Sequence, residues 1–329
     1  MNTTAEWYRS FGAMEARGQS ATYDLLAGRI AEDAELLALI EQLPEPKRQP
    51  NLLFGVVRLL GGPVEDYEAF RTWTSAEWDR VRQAMAERRT QTNEPGRCAV
   101  LLPVLAALPQ PLALIEVGAS AGLCLYPDRY RYRYGGGHVV GPADSPVVLE
   151  CREDGPVPLP AEVPRVVWRA GVDLNPLDVR SAEDMRWLEC LVWPEQHERL
   201  PRLRGAVSIA REEPPHLVRG DLNEVIGDLV AQAPANATPV VFHTAVLAYL
   251  SVEGREAFAE KMRDLPCRWV SNEAVGVLPS VDRRLPRPAP DDRLVCVVAL
   301  DGRPLAFSAP HGQSLEWFGR PHKSAAGRP

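Results

Sequence analysis

An apolar run that ends in a series of small residues constrains the fold of this chain more than any other stretch. Residues 112–117 read LALIEV, and they are followed by Gly118, Ala119, Ser120, Ala121 and Gly122. The pattern predicts a buried strand that ends at a tight turn, which a helix could follow. Small residues let a ligand approach the backbone, and amide groups at such a turn can donate to polar or anionic groups, so the turn is a candidate binding site. A glycine-rich turn that binds no ligand is the alternative.

The spacing of the small residues indicates which ligand would bind. A dinucleotide-binding turn has the spacing G-x-G-x-x-G, and its third glycine would fall on Leu123. The spacing E-x-G-x-G-x-G fits better, with serine in place of one glycine. It resembles the first motif of class I S-adenosylmethionine-dependent methyltransferases. The resemblance implies that S-adenosylmethionine binds, that NAD does not, and that the cofactor contacts Glu116, Gly118, Ala119, Ser120 and Gly122.

Composition argues against several classes of protein. The 329 residues are 45% hydrophobic and 25% charged, which is typical of a globular protein with a substantial core. A net charge of -7 disfavours nucleic acid as a partner. The six cysteines form no C-x-x-C pair and have no histidine at zinc spacing, so we expect free thiols and no metal site. Residues 1–20 do not resemble a secretory signal and no apolar run has membrane-span length, so the expected location is cytoplasmic, without membrane association.

The order of predicted elements indicates an α/β protein. Residues 1–110 have helical spacing of apolar residues, with Ser20 as a candidate N-cap, and form a predicted helical N-terminal cap domain. Beyond them, predicted strands (165–171, 216–219, 239–243 and 268–271) alternate with predicted helices (182–191, 195–210, 223–232 and 252–265). This alternation is typical of a doubly wound, mostly parallel sheet.

The C-terminal part completes the predicted domain. Residues 294–308, with Asp301-Gly302 between two apolar runs, predict an antiparallel hairpin, as expected at the end of a methyltransferase-like Rossmann sheet. The predicted α/β core spans residues 111–310. Residues 311–329 form a predicted tail, of which 323–329 are expected to be disordered.

An insertion at residues 128–164 interrupts the predicted core. It begins with Tyr130-Arg-Tyr-Arg-Tyr134, a period-two pattern that puts the tyrosines on one face of a strand and the arginines on the other. Such a strand could stack on nucleic-acid bases. A hairpin with buried tyrosines and solvated arginines is the favoured interpretation.

Asn93 and Arg97 precede the glycine turn in the sequence. Asn93 stands at the start of a predicted helix, where an N-cap is expected, and Arg97 is interpreted as a solvated side chain. The alternative is that both residues lie beside the ligand.

Two further acidic residues follow predicted strands. Asp173 has the position at which an acid beside the glycine turn accepts hydrogen bonds from the two hydroxyls of a ribose. It lies much further along the chain than the usual separation of about 20 residues, so the assignment requires the insertion to leave and rejoin the sheet. An Asx turn is the alternative. Asp221 and Leu222 follow the next strand, where the resemblance implies contact with adenine, although Asp221 also suits an N-cap.

The predicted fourth strand of the parallel sheet ends at a histidine. His243 is the first polar residue after the apolar run 239–242, so we expect it at the carboxyl edge of the sheet, in the same pocket as Gly118 and Asp173. Its near-neutral pKa would let it accept a proton from a hydroxyl or amine substrate. Tyr249 and Glu273 are further catalytic candidates, one for shaping the pocket and one for holding a substrate donor. A histidine satisfied by contacts within the core is the alternative.

Five short motifs are spread along the chain. They are Glu116-Val-Gly-Ala-Ser-Ala-Gly-Leu123, Asp128-Arg-Tyr-Arg-Tyr132, Arg186-Trp-Leu188, Val192-Trp-Pro194 and Phe242-His243. Together they resemble the bacterial family DUF2332. This resemblance implies a fold and no established activity. The expected function is methyl transfer from S-adenosylmethionine to an unknown small molecule. The alternative is a non-catalytic protein on the same scaffold that binds an adenosine-type ligand or a protein partner.

Overall fold

The computed structural model describes residues 3–91 and 93–318 of the chain. Within these ranges the protein has a mixed α/β fold, with twelve helices and an eleven-stranded sheet that is mostly parallel and includes antiparallel strands. The chain divides into two compact units. The first contains residues 3–91 and 177–203, and the second contains residues 93–176 and 204–318.

The helices are numbered in chain order. They are α1 (Thr4–Phe11), α2 (Ala21–Ile30), α3 (Ala34–Ile40), α4 (Pro50–Leu59), α5 (Tyr67–Ala76), α6 (Trp78–Glu87), α7 (Cys98–Ala106), α8 (Ala182–Leu191), α9 (Arg199–Glu212), α10 (Leu222–Ala231), α11 (Val252–Asp264) and α12 (Pro279–Asp282). The strands are β1 (Leu112–Val117), β2 (Arg131–Tyr134), β3 (Val139–Val140), β4 (Val148–Asp154), β5 (Val166–Asp173), β6 (His216–Arg219), β7 (Thr238–Thr244), β8 (Arg268–Ala274), β9 (Cys296–Leu300), β10 (Arg303–Ser308) and β11 (Ser314–Trp317).

The first unit is helical and has an aromatic core. Ser20 accepts a hydrogen bond from the Tyr23 amide and so caps α2, as predicted. The chain leaves the helical path after Ile30, and Asp33 caps a separate helix, α3. Phe54 of α4 packs against the ring of Tyr23 at 4.6 Å between centroids and against Phe70 of α5 at 5.9 Å.

The second unit contains the whole sheet. Its strand order is β3-β2-β4-β11-β10-β9-β8-β7-β1-β5-β6. Strands β6, β5, β1, β7 and β8 are parallel neighbours, and in order of appearance along the chain they give the arrangement 3-2-1-4-5 of a doubly wound sheet. The strand order therefore reverses between β1 and β7, which is the position at which such sheets bind ligands, outside the carboxyl ends of the strands.

The insertion leaves the sheet and returns to it. Strand β1 pairs directly with β5, while β2, β3 and β4 lie at the opposite end of the sheet, beyond β11. Tyr130, Tyr132 and Tyr134 are buried, and Arg133 is exposed, so the predicted hairpin with a buried tyrosine face is confirmed. The C-terminal hairpin is also confirmed, because β9 and β10 pair antiparallel across Asp301 and Gly302, which both have positive φ.

The main core of the second unit lies between the parallel strands and two helices. Ile115 and Val117 of β1 pack in one buried cluster with Ile226 of α10 and Phe258 of α11. Because side chains alternate along a strand, Glu116 points to the opposite face. Helix α7 is almost wholly buried, although Pro103 lies within it.

Two of the predicted domain boundaries are wrong. Helix α7 belongs to the second unit, and residues 177–203, including α8, belong to the first, so the helical unit is not simply residues 1–110. Residues 314–317 form strand β11, which pairs with β10 and β4, so the predicted tail begins too early. The segment expected to be disordered, 323–329, lies outside the described residues.

Candidate functional site

The turn after β1 uses left-handed backbone at three positions. Gly118, Ser120 and Gly122 have φ values of 67°, 52° and 71°. Glycine adopts this conformation without steric cost, whereas serine does so only with strain. The serine at the middle position of the motif is therefore held in a conformation that normally favours glycine.

Amide groups of the turn donate hydrogen bonds to carbonyl oxygens of the protein. The Gly118 and Ala119 amides donate to the Val172 carbonyl, at 2.8 and 3.1 Å, and the Gly122 amide donates to the Ala119 carbonyl. A single 3-10 turn, Leu123–Leu125, follows the motif in place of the helix that the sequence allowed. The turn consequently offers no helix N-terminus for an anion.

Asn93 fixes the glycine turn, and Arg97, also before α7, contacts the end of β7. The Asn93 side chain donates to the Ala119 carbonyl at 3.1 Å and accepts from the Leu123 amide at 2.9 Å, so it ties the two ends of the turn together. The buried Arg97 guanidinium donates to the Thr244 carbonyl at 2.9 Å, at the end of β7. The interpretation of these residues as an N-cap and a solvated side chain is wrong, because Glu94 provides the cap and Arg97 is buried.

Asp173 lies next to the glycine turn. Its Oδ2 atom accepts a hydrogen bond from the Ser120 amide at 2.8 Å, and its Oδ1 atom accepts from the Asn175 amide at 2.7 Å. The second contact is the Asx turn that the sequence offered as an alternative. The carboxylate thus joins the ends of the neighbouring strands β1 and β5, as the ribose hypothesis requires, while also serving as a local turn former.

Asp221 and Leu222 lie at the end of β6. The exposed Asp221 side chain accepts from the Asn223 amide at 2.7 Å and caps α10, of which Leu222 is the first residue. The Gly220 amide donates to the Asp173 carbonyl at 3.1 Å, which keeps this strand end beside that of β5. Asp221 therefore acts as an N-cap, one of the two roles that its position suggested.

Glu116 is buried beneath the turn and not presented at the edge of the sheet. Its side chain is only 3% exposed, and Oε2 has no hydrogen-bond partner among the described residues. Burial raises the pKa of the carboxyl well above its ordinary value, nearby Cys124 raises it further, and Arg97 partly offsets the rise. These conditions favour a neutral carboxyl inside the protein, so the prediction that Glu116 contacts a cofactor is not supported by its position.

His243 has no free ring nitrogen. The imidazole is fully buried, its Nε2 accepts from the Trp269 indole N–H at 2.9 Å, and its Nδ1 lies 2.6 Å from Glu273 Oε1. Because the indole can only donate, Nε2 must be the acceptor, so Nδ1 carries the hydrogen and donates to the carboxylate. The prediction that His243 takes a proton from a substrate is therefore wrong in this conformation; the imidazole links Trp269 to Glu273.

Glu273 organises the segment after β7. Its Oε1 atom accepts from His243 and also from the Val246 and Leu247 amides, at 2.9 and 3.2 Å. Its Oε2 atom is buried and has no partner within residues 3–91 and 93–318. Of the three catalytic candidates, Glu273 is the one with an open acceptor, whereas Tyr249 is 75% exposed on the short 3-10 turn Leu247–Tyr249.

The glycines of the turn pack against protein side chains. A Cβ atom added to Gly118 would lie 2.5 Å from Cγ2 of Val246, and one added to Gly122 would lie 2.8 Å from Cγ of Pro215. Gly171 of β5 is packed equally closely, since a Cβ atom there would lie 2.6 Å from the Ala119 methyl group. The small residues thus allow strands and loops to approach one another, which is a structural reason for their presence.

Sequence reasoning missed Trp269 and Val246. In the register of β7 and β8, His243 faces Ser271, so Trp269 and Glu273 are its diagonal neighbours on the same face. The period-two spacing of Trp269 and Glu273 along β8 is visible in the sequence, but the register in which β8 pairs with β7 is not. Val246 carries no polar group, so only its contact with Gly118 connects it with the candidate site.

The described residues show neither the side-chain grouping of a metal site nor a membrane-spanning helix. Across residues 3–91 and 93–318, no group of three or more histidine, cysteine or acidic side chains has the arrangement of a metal site. None of the helices in that part of the chain combines the length and the apolar character that a membrane span needs. All six cysteines are free thiols.

Comparison with known proteins identifies the family. The family model DUF2332, described as an uncharacterized protein conserved in bacteria, matches residues 5–317. No curated protein matches the chain. The match covers nearly all of the chain and confirms the resemblance seen in the short motifs: the protein belongs to the DUF2332 family.

Proposed function

We propose that this protein is an S-adenosylmethionine-dependent methyltransferase that acts on a small molecule. One observation carries the proposal: the Ser120 amide donates to Asp173 at 2.8 Å, so an acid at the end of β5 lies against the glycine turn at the end of β1. The parallel strands have the 3-2-1-4-5 order, and an antiparallel hairpin follows, as expected for a methyltransferase-like Rossmann sheet. The proposed binding position is the carboxyl edge at the strand reversal.

Two residues at this edge are the proposed contacts for the ribose of an adenosine-type ligand. The Asp173 carboxylate, which accepts the two amide hydrogen bonds described above, is the proposed acceptor for the ribose hydroxyls. The Ser120 hydroxyl is buried without a partner in the described part of the chain, which gives a ligand a further polar group to satisfy. Asp221 and Leu222 at the end of β6 are the proposed contacts for the adenine.

The chemistry assigned to the chain is mainly orientation. Bound S-adenosylmethionine supplies the methyl group, and the protein holds donor and acceptor in line for direct displacement. Any proton released by the acceptor needs a basic atom within hydrogen-bond reach. Glu273 Oε2 is our candidate, because it is the unpartnered carboxylate oxygen near the end of β8, whereas both nitrogens of His243 are occupied. Tyr249 remains a candidate for shaping the acceptor site.

A second candidate function is ligand sensing or protein interaction without turnover. Two observations favour the interaction protein, which needs no ligand at the turn: amides of the turn donate to protein acceptors, and Val246 occupies the space above Gly118. A scaffold that had lost turnover would retain the packed glycines and the Asp173 contact for structural reasons alone. Ligand binding and turnover must therefore be measured separately.

Calorimetry with S-adenosylmethionine, S-adenosylhomocysteine, NAD and ATP tests the proposal. We expect the first two to bind and NAD not to bind. Gly118→Val should abolish binding, because a side chain there requires an unfavourable φ and meets Val246. Ala161→Val is a matched control, since Ala161 is exposed in the loop between β4 and β5. Binding of NAD alone, or equal affinity in the Gly118 variant, would contradict the proposal.

Turnover then separates an enzyme from a sensor. Conversion of S-adenosylmethionine to S-adenosylhomocysteine is measured with pooled bacterial small molecules as acceptors. An enzyme should give acceptor-dependent conversion, and Glu273→Gln should lower the conversion rate by a much larger factor than the factor by which it changes cofactor affinity. Tight binding without any acceptor-dependent conversion would favour the sensor.

A further inference from the structure

A short segment after β7 covers the glycine turn. Val246 lies so close to Gly118 that a Cβ atom added there would be 2.5 Å from Cγ2 and 2.7 Å from Cγ1 of the valine. The space above a glycine is what allows a ligand to approach the backbone. Here the isopropyl group of Val246 fills that space, so a ligand that contacts Gly118 must first displace it.

The covering segment is strained at its start. Ala245 has a φ of 55°, in the left-handed region that a residue with a Cβ occupies only at a cost of about 1–2 kcal/mol. Its amide donates to the Asn272 carbonyl at 3.0 Å, which holds this conformation. Such strained positions are retained when the surrounding structure fixes them, and they cluster at functional sites.

One carboxylate holds the inner half of the segment, and Arg255 holds the outer half by donating to the Ala248 and Leu250 carbonyls at 3.0 and 3.1 Å. Glu273 Oε1 accepts the Val246 and Leu247 amides, and Leu247 is the fully buried side chain of the segment. Ala248 and Tyr249 are exposed. The inner half, which carries Val246, therefore depends on amide contacts with one carboxylate that a small backbone rotation would release, while Arg255 anchors the outer end.

We propose that residues Ala245–Leu250 form a gate over the glycine turn, with Val246 as the residue that closes it and Glu273 as the group that holds it closed. The inference rests on the proposed function for the identity of the ligand, an adenosine-type molecule, but the movement of the segment is independent of it. The structure corresponds to the closed state. Opening moves Val246 away from Gly118 and exposes the turn.

The gate should limit the affinity with which a ligand binds at the glycine turn. When a site is accessible only in a minor state, populated at roughly 10% or less, its apparent association constant is multiplied by that population. Its apparent affinity is then about tenfold weaker or more. Val246→Ala removes both methyl groups above Gly118 and leaves the backbone contacts with Glu273 in place. It should therefore strengthen the binding of S-adenosylhomocysteine by about tenfold, mainly through a faster association rate.

Two measurements test the gate. The first compares the affinity and association rate of S-adenosylhomocysteine for the parent protein, Val246→Ala and the control Val252→Ala, whose exposed side chain lies at the start of α11. A tenfold gain in the Val246 variant alone supports the gate. Equal affinity of all three proteins overturns it and leaves the proposed function intact.

The second measurement needs no ligand. Hydrogen exchange of the Val246 and Leu247 amides is compared with that of strand β7, in the parent protein and in Glu273→Gln. The gate predicts that these two amides exchange by local opening, faster than the strand, and that the variant accelerates them further. If no adenosine-type ligand binds but this local opening is seen, the proposed function fails and the gate stands. If the amides exchange only together with β7, the gate is overturned.

Discussion

Two neighbouring strand ends of the second unit satisfy their polar groups in opposite ways. At the end of β1, backbone amides of the glycine turn donate to the Val172 carbonyl and to Asp173. Along β7 and β8, three buried side chains, Trp269, His243 and Glu273, form a chain of hydrogen bonds. Both arrangements join strands that are distant in the sequence, but the first uses backbone donors, whereas the second uses only side chains that the register of β7 and β8 brings together.

This difference predicts different sensitivities to substitution. A turn built from backbone groups loses one contact when one side chain changes. A buried side-chain network leaves several polar groups without partners when its acceptor is removed, and each of these groups carries a desolvation cost. We therefore expect the largest effects at β8 and the smallest in the turns.

Glu273→Ala should be the most destabilising change in either region. It leaves the His243 Nδ1–H and the Val246 and Leu247 amides without their acceptor in a buried site. The expected loss in the free energy of unfolding is about 3–5 kcal/mol. Urea denaturation followed by circular dichroism measures it, with Glu273→Gln as the control that keeps an oxygen acceptor. Equal stability of the parent and the alanine variant would show that the network does not stabilise the fold.

Asp173→Ala should have the next largest effect. The Ser120 and Asn175 amides lose a charged acceptor, and hydrogen bonds to charged groups contribute about 1.5–3 kcal/mol each, partly recovered here by water. A net loss of about 2 kcal/mol is expected. Asp221→Ala is the matched control, because it removes an exposed N-cap contact and should cost about 1 kcal/mol. If both variants lose the same stability, Asp173 is no more than a turn former.

Trp269→Phe should cost less, since it removes one donor and keeps an aromatic ring in the core. His243 Nε2 then lacks its hydrogen bond, and the expected loss is about 1–2 kcal/mol. Trp168→Phe, on β5, is a comparison variant without this contact to histidine. A nitrogen chemical shift of His243 that does not change in Trp269→Phe would contradict the assigned hydrogen bond and the tautomer inferred from it.

The same contrast explains what the sequence could predict. The strands 216–219 and 268–271, the helix 182–191 and the Asp301-Gly302 hairpin all appear where periodicity and turn residues predicted them. Asp173 could be related to the glycine turn because acids at strand ends have a known position in parallel sheets. Each of these inferences uses local pattern or general sheet topology.

The features that were missed depend on tertiary contacts. Neither the burial of Glu116 beneath the turn nor the occupation of both His243 nitrogens follows from local pattern, because both depend on which side chains other strands bring to the site. Residues 177–203 belong to the helical unit, which the sequence also did not predict. Nothing in the composition of α8 distinguishes it from a helix of the α/β unit.

The smallest effects should come from the strained residue of each region. Ser120 and Ala245 are both non-glycine residues with φ near 50°, one in the turn after β1 and one after β7. Substitution by glycine relieves a conformational cost of about 1–2 kcal/mol in the folded state. It also stabilises the unfolded chain by about 0.4–1 kcal/mol, because glycine has more conformational entropy. The net change should be a stabilisation of about 0–1.6 kcal/mol.

Ser120→Gly should give the larger gain of the two. It also removes a buried hydroxyl that has no partner in the described part of the chain, whereas Ala245→Gly removes only a methyl group. Ala121→Gly is the control, because Ala121 is not among the residues with positive φ and its replacement should destabilise the protein by roughly 0.5–1 kcal/mol. Thermal unfolding of the three variants measures the differences. If Ser120→Gly and Ala121→Gly lose stability equally, the left-handed conformation of Ser120 carries no strain, and the serine in the motif makes a contact that glycine cannot replace.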